Sequence, residues 1–151
     1  MKAIISVILI FILAACAGPM PKPENFIQST DIPTLDSEKS YVYFYRPARF
    51  MGAGTSYFIY DDDELIGALR NGGYFVYEAV AGDHFFWAET EMTSSVILNC
   101  ESGKTYYVEG GAKMGSLRPN PELNFMPESV GKKRMIGLQY YTFDFTARSN
   151  Q

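Results

Sequence analysis

The sequence predicts a mainly β fold, an antiparallel sandwich or barrel of about seven to nine short strands with one short helix near the C-terminus. Three observations carry this. Aromatic residues make up 15% of the chain, with 11 Tyr and 11 Phe, and broad rings pack well on a pleated surface. From Tyr41 onward, short apolar runs the length of ordinary strands recur at spacings of about 8 to 12 residues. Turn residues separate most of them: Gly52 and Gly54, Asp61-Asp62-Asp63, Asn71-Gly72-Gly73, Ala81-Gly82-Asp83 and Glu101-Ser102-Gly103.

The first element is not part of that fold. Met1 and Lys2 give a positive start, and residues Ala3 to Leu13 (AIISVILIFIL) form an apolar run broken only by Ser6. A membrane-spanning helix needs roughly 20 apolar residues, and Gly18, Pro19, Pro21 and Pro23 stop any continuation. Residues 1–15 therefore read as a secretory signal peptide. Leu13-Ala14-Ala15-Cys16 resembles the bacterial lipobox, in which a cysteine is joined to diacylglycerol before a peptidase cuts in front of it. The residue types suit that chemistry. A thiolate is a strong nucleophile for alkylation, Ala14 and Ala15 are small, and Leu13 fills an apolar subsite. A cysteine ending an ordinary signal peptide by chance is the alternative. Two or three acyl chains on Cys16 would anchor the protein lastingly, because each buried methylene contributes about 0.8 kcal/mol. Ala17 stands where an Asp would favour inner-membrane retention, so the expected location is the outer membrane, facing the periplasm.

Residues 16–40 read as the lipidated cysteine and a proline-containing tether, with prolines at 19, 21, 23 and 33. As a coil, this tether would hold the domain roughly 25 to 30 Å from its anchor. Phe26, Ile27 and Ile32 are candidates to pack on the domain edge. Residues 41–151 then form the domain. Its strands are expected in YVYFYR, SYFIY, ELIGALR, YFVYEAV, HFFWAET, SVILNC, KTYYVEG, ELNFM and YYTFDF. Tyr141, Phe143 and Phe145 alternate with Thr142 and Asp144, as a half-buried strand should. Pro127 to Met135 suits one short helix, weakened by Gly131.

Composition narrows the function. The net charge is -4, and losing Lys2 with the signal leaves 12 basic against 17 acidic residues, or -5. With no long basic run, a nucleic-acid partner is not expected. Two Cys and one His are too few for a structural zinc site, and no cofactor is implied. Asp61-Asp62-Asp63-Glu64 lacks the spaced oxygens of a calcium loop and reads as a solvated hairpin tip. His84 is the sole candidate base for a nucleophile triad, but no Gly-x-Ser-x-Gly elbow is present, so a solvent-edge or cross-strand role is expected. Glu89, Glu91, Glu101 and Glu109 offer carboxylates for glycoside hydrolysis without any spacing that singles out a pair. Trp87, among apolar neighbours, reads as core. With Cys16 modified, Cys100 reads as a buried free thiol or an intermolecular disulfide.

Two loops remain as candidate contact surfaces, RPARFMGAGTS with Arg46, Arg49, Phe50 and Met51, and AKMGSLRPNP with Lys113 and Arg118. Basic and apolar groups together on a loop often mark recognition. Ordinary loops with Phe50 and Met51 tucked into the core are the alternative.

Tyr43-Phe44-Tyr45-Arg46, Gly67, Asn71-Gly72-Gly73-Tyr74-Phe75, Gly82-Asp83-His84 and Gly103-Lys104-Thr105-Tyr106-Tyr107-Val108 occur in this order. The layout resembles the bacterial lipoprotein family catalogued as domain of unknown function 2846, over roughly Tyr41 to Met135. It is also similar to PEGA and carboxypeptidase-regulatory modules. The resemblance implies a transthyretin-like β-sandwich with a support or binding role and brings no catalytic residues. The expected function is a non-enzymatic, membrane-anchored binding or assembly module, with an envelope protein or peptidoglycan as partner. A cell-wall glycan binder or glycan-acting protein, using Tyr and Trp87 to stack on sugars, is the second expectation.

Overall fold

Each of the nine apolar runs folds as a strand, and a tenth strand precedes them. The computed structural model describes residues 20–146, so Leu13, Ala14, Ala15 and Cys16, the residues expected to direct processing and carry the acyl chains, lie outside the described residues. A 3-10 turn at Pro23–Asn25 leads into β1 (Phe26–Gln28). Then come β2 (Ser40–Arg46), β3 (Tyr57–Asp61), β4 (Glu64–Leu69), β5 (Gly73–Ala79) and β6 (Gly82–Glu89). The chain continues through β7 (Thr93–Cys100), β8 (Thr105–Lys113), β9 (Asn120–Met126), α1 (Glu128–Met135) and β10 (Gln139–Phe143). A six-stranded sheet has the order β1-β10-β5-β2-β8-β9, and a four-stranded sheet has the order β4-β3-β6-β7.

The core lies between the two sheets and follows the period-2 alternation of strands. Val42, Phe44, Phe75, Val108 and Leu123 enter it from the larger sheet. Tyr57, Ile59, Leu69, Phe86, Ala88 and Leu98 enter from the smaller one. Phe44 stacks on Phe75 at 5.1 Å and meets Phe86 edge-on at the same separation. Gly67 lies directly under the Phe75 ring, where a Cβ would collide with it. β2 is buried on both faces along most of its length, and α1 packs on its neighbour β8. Gly131 sits against the Tyr107 ring with no room for a methyl. The glycine that weakens the helix by propensity is thus what lets it approach the sheet.

Several features differ from the sequence reading. The larger sheet is mixed, not antiparallel throughout: β2 runs parallel to β8, and β10 runs parallel to β5. Hydrophobic alternation reports which face a residue takes and is silent on the direction of its neighbour. β1 also draws part of the expected tether into the fold. It pairs antiparallel with β10, Phe26 opposite Phe143, and Pro21, Asn25 and Phe26 are buried. Phe26 packs edge-on against Tyr141 and Phe143 in a second small core with Phe58 and Ala68, on the outer side of β3 and β4. Arg70 lies over both the Phe26 and the Tyr141 rings.

The acidic run turns between β3 and β4, with Asp62 at φ 48°, a left-handed geometry that Asp tolerates. Its first member is not solvated, since Asp61 is buried. Cys100 is a buried free thiol, and desolvation holds its pKa above the ordinary value.

Candidate functional site

Because β2 and β8 run parallel, both end at the same edge of the sandwich, and the two candidate loops leave from there. Gly52 in the first loop packs against Ala112 and Pro119 at the base of the second. The β6–β7 turn joins them. Thr90 Oγ1 donates to the Pro119 carbonyl at 3.1 Å, and the Met92 amide donates to Asn120 Oδ1 at 3.0 Å. One end of the molecule is therefore built from loops 47–56, 90–92 and 114–119.

Buried and anchored groups give this end a fixed shape. Arg46 closes the first loop from within. Its Nη1 donates to the Thr55 carbonyl at 2.5 Å, and its Nη2 donates to Gly52 O at 2.7 Å. Its guanidinium lies 5.5 Å from the Tyr57 ring centroid. At 2% exposure, Arg46 is a structural pin and not the contact residue its loop position suggested. Burial lowers its pKa from the usual arginine value. Glu91 holds the other loop. Its two carboxylate oxygens accept the backbone amides of Ser116, Leu117 and Arg118 at 2.7–2.9 Å. Partial desolvation pushes the Glu91 pKa up, but the three amides outweigh it, and the net shift is downward.

The side chains that project are apolar. Phe50 is fully exposed, Leu117 is 89% exposed and Met114 is 78% exposed. Met51 and Met92 are exposed as well. Each would gain about 1.5–3 kcal/mol on full burial, so five on a rigid end form an unusual patch for water. Arg49 and Lys113 sit at its margin, paired with Glu109 at 3.3 Å and Glu122 at 2.7 Å. Arg118 is partly buried. Of the predicted contact residues, the structure keeps Arg49, Phe50, Met51 and Lys113 outward and removes Arg46. Sequence reading missed Met92, Met114 and Leu117. Met114 and Leu117 stood in the loop singled out for its charges, and Met92 sits in a turn that carries no local signal.

The groups with catalytic chemistry are committed elsewhere. His84, on β6, is buried and crosses to β3. Its Nδ1 donates to Asp61 Oδ2 at 2.6 Å, and its Nε2 donates to the Val80 carbonyl at 2.8 Å. Both partners are acceptors, which requires both ring nitrogens to carry protons. Burial lowers the His84 pKa, while Val80 and Asp61 raise it further, and the net shift is upward. An imidazole with both nitrogens occupied has no lone pair for a nucleophile. Tyr77 donates to the same Asp61 oxygen at 3.0 Å. The carboxylates proposed for glycoside chemistry are likewise engaged. Glu109 is buried and accepts from Tyr45 Oη at 3.0 Å, Arg134 Nη1 at 2.7 Å and Arg49 Nη2 at 3.3 Å. Glu101 pairs with Lys104 at 2.8 Å. Among the described residues, no three of His, Cys, Asp and Glu are grouped as a metal site requires.

Trp87 is not in the inter-sheet core. It lies partly exposed on the outer face of the smaller sheet, stacked on Tyr60 at 4.3 Å, and its Nε1 donates to the Asp62 carbonyl at 2.6 Å. Beside it is a hollow of about 40 Å³ whose walls include Met20, Thr90 and Arg118. A second cleft of about 170 Å³ runs between β4, β5 and β10. Both are smaller than the roughly 300 Å³ at which small-molecule sites usually begin, whereas a shallow hollow of about 370 Å³ beside Lys104, Tyr106 and Glu128 exceeds it.

No solved structure matches the chain. An uncharacterized protein of Haemophilus influenzae is 31% identical over 129 residues, covering 84% of this chain and 76% of the relative. Residues 36–121 match the family described as protein of unknown function DUF2846, a span running from the approach to β2 through the start of β9. That match covers more than half of the chain, and the chain belongs to the DUF2846 family.

Proposed function

We propose that this protein is an acylated lipoprotein of the bacterial envelope whose β-sandwich works by contact and not by catalysis. Cys16 carries diacylglycerol, Leu13, Ala14 and Ala15 direct processing, and the domain faces the periplasm from the outer membrane. The observation that carries the contact role is the rigid loop end, where Arg46 and Glu91 hold Phe50, Met51, Met92, Met114 and Leu117 out in water. The commitment of His84 and Glu109 to internal partners supports the non-enzymatic side of the reading. Feeding an alkyne-tagged fatty acid to cells that express the full precursor tests the anchor. The unsubstituted protein takes up the tag and shifts to the mature mass, whereas Cys16→Ser takes up none and stays at the precursor mass, because the peptidase cuts only in front of an acylated cysteine. A Cys16→Ser protein that is tagged and cut like the unsubstituted chain would rule the anchor out.

One observation favours a second reading. The Tyr60–Trp87 stack offers a partly exposed aromatic surface, of the kind on which sugar rings rest. A peptidoglycan-binding protein would lose retention on insoluble cell wall in Trp87→Ala. A contact module of the first kind would show no such loss.

A further inference from the structure

We infer that the loop end is seated on the bilayer that holds the protein's own acyl chains, with Met92, Met114, Leu117 and Phe50 entering the headgroup region. This rests on acylation of Cys16 and adds an orientation to it. The argument begins with where the ordered chain enters. Pro21 is buried and Met20 partly so, and Met20 shares one small hollow with Trp87, Thr90 and Arg118. Thr90 is two residues from Met92, and Arg118 is next to Leu117. The domain is therefore entered beside its apolar end.

Chain length sets the rest. Three residues lie between Cys16 and Met20. Even fully extended, the four steps from one to the other span at most about 14 Å, not the 25 to 30 Å of a free tether from Cys16 to β2. The polar layer on each side of a bilayer is roughly 5 to 8 Å deep. An acylated Cys16 at that layer holds Met20 within one short reach of it, and the loops beside Met20 share that reach. The opposite end, with the β5–β6 turn at Val80, is held away by the length of the strands. The projecting side chains suit the location. They are Met, Leu and Phe, none branched at Cβ, on loops carried by hydrogen-bonded frames.

The test uses the acylated full-length protein, reconstituted in vesicles of phosphatidylethanolamine with a minority of phosphatidylglycerol. Trp87 is the single tryptophan, so a Trp87→Phe background allows one reporter at a time. Leu117→Trp should be quenched several-fold more by brominated acyl chains than Val80→Trp. Equal quenching at the two ends, or stronger quenching at Val80, overturns the inference. A photoreactive phospholipid in the same vesicles gives the answer on unsubstituted protein, with crosslinks expected in the peptides holding Met92, Met114 and Leu117. Crosslinks confined to other peptides overturn it. So does a loop end that, in the native envelope, crosslinks to a protein and to no lipid. Mass analysis of the same sample separates the two failures. Missing acyl mass overturns the anchor and the seating together, whereas acylated protein with an unquenched loop end overturns the seating alone.

Discussion

Arg46 and His84 are each a charged side chain taken out of water, and each is held by acceptors the sequence does not display. Arg46 has two backbone carbonyls and a ring as partners. Hydrogen bonds from a charged donor contribute about 1.5–3 kcal/mol, so Arg46→Met is expected to lose about 2–3 kcal/mol in urea unfolding. Amide exchange should accelerate in residues 50–55 and little elsewhere. Uniform acceleration would show that Arg46 does not act through its loop. For His84, the pKa is raised in the folded state. Its contribution is fully present below the unfolded value of about 6.5 and is lost as pH climbs through the higher folded value. Asp61 and the Val80 carbonyl face this ring directly, the Asp62 charge lies nearby, and Tyr77 donates to the same Asp61 oxygen. Stability should therefore fall as pH rises above about 6.5, and Asp61→Asn should flatten that dependence. An equal slope in the variant would place the titrating group elsewhere. The sequence left His84 as a solvent-edge or a cross-strand histidine. Its burial was not legible, because Asp61 sits first in an acidic run and looks like turn text.

At the scale of elements, the nine apolar runs and the helix were legible because each carries its own period and is closed by its own turn residues. β1 was hidden in proline-rich text, since three residues are too few to show alternation. Its membership is testable. Phe26→Ala should cost about 3 kcal/mol, because the ring packs against Tyr141 and Phe143, whereas a spacer residue would cost nothing measurable. The parallel pairing of β2 with β8 was not legible either, because it depends on contacts far apart in sequence. That pairing is what brings loops 47–56 and 114–119 to one end. α1 gives a prediction in which two effects oppose. Gly131→Ala gains about 1 kcal/mol of helix propensity, but the methyl meets the Tyr107 ring, and overpacking costs about 1–3 kcal/mol. Thermal unfolding should show a net loss. A gain would mean the helix can lift off the sheet without penalty.

For the whole molecule, the sandwich behaves as a holder that collects apolar loop tips at one end and gives its buried Arg46, His84 and Glu109 internal partners. Glu109 is the clearest case, joining β8 to β2, to the first loop and to α1 through Tyr45, Arg49 and Arg134. The candidate site was half legible, since the two loops were visible as mixed apolar and basic text. Their union and the part played by the β6–β7 turn come only from the fold. The most direct measurement is the intact mass of the mature protein purified from its native envelope, with sequencing of its first peptide. The account predicts a chain beginning at Cys16 and carrying diacylglycerol on sulfur, with an added acyl group on the new amine. A mature chain that starts at another residue, or a Cys16 with an unmodified thiol, would contradict it.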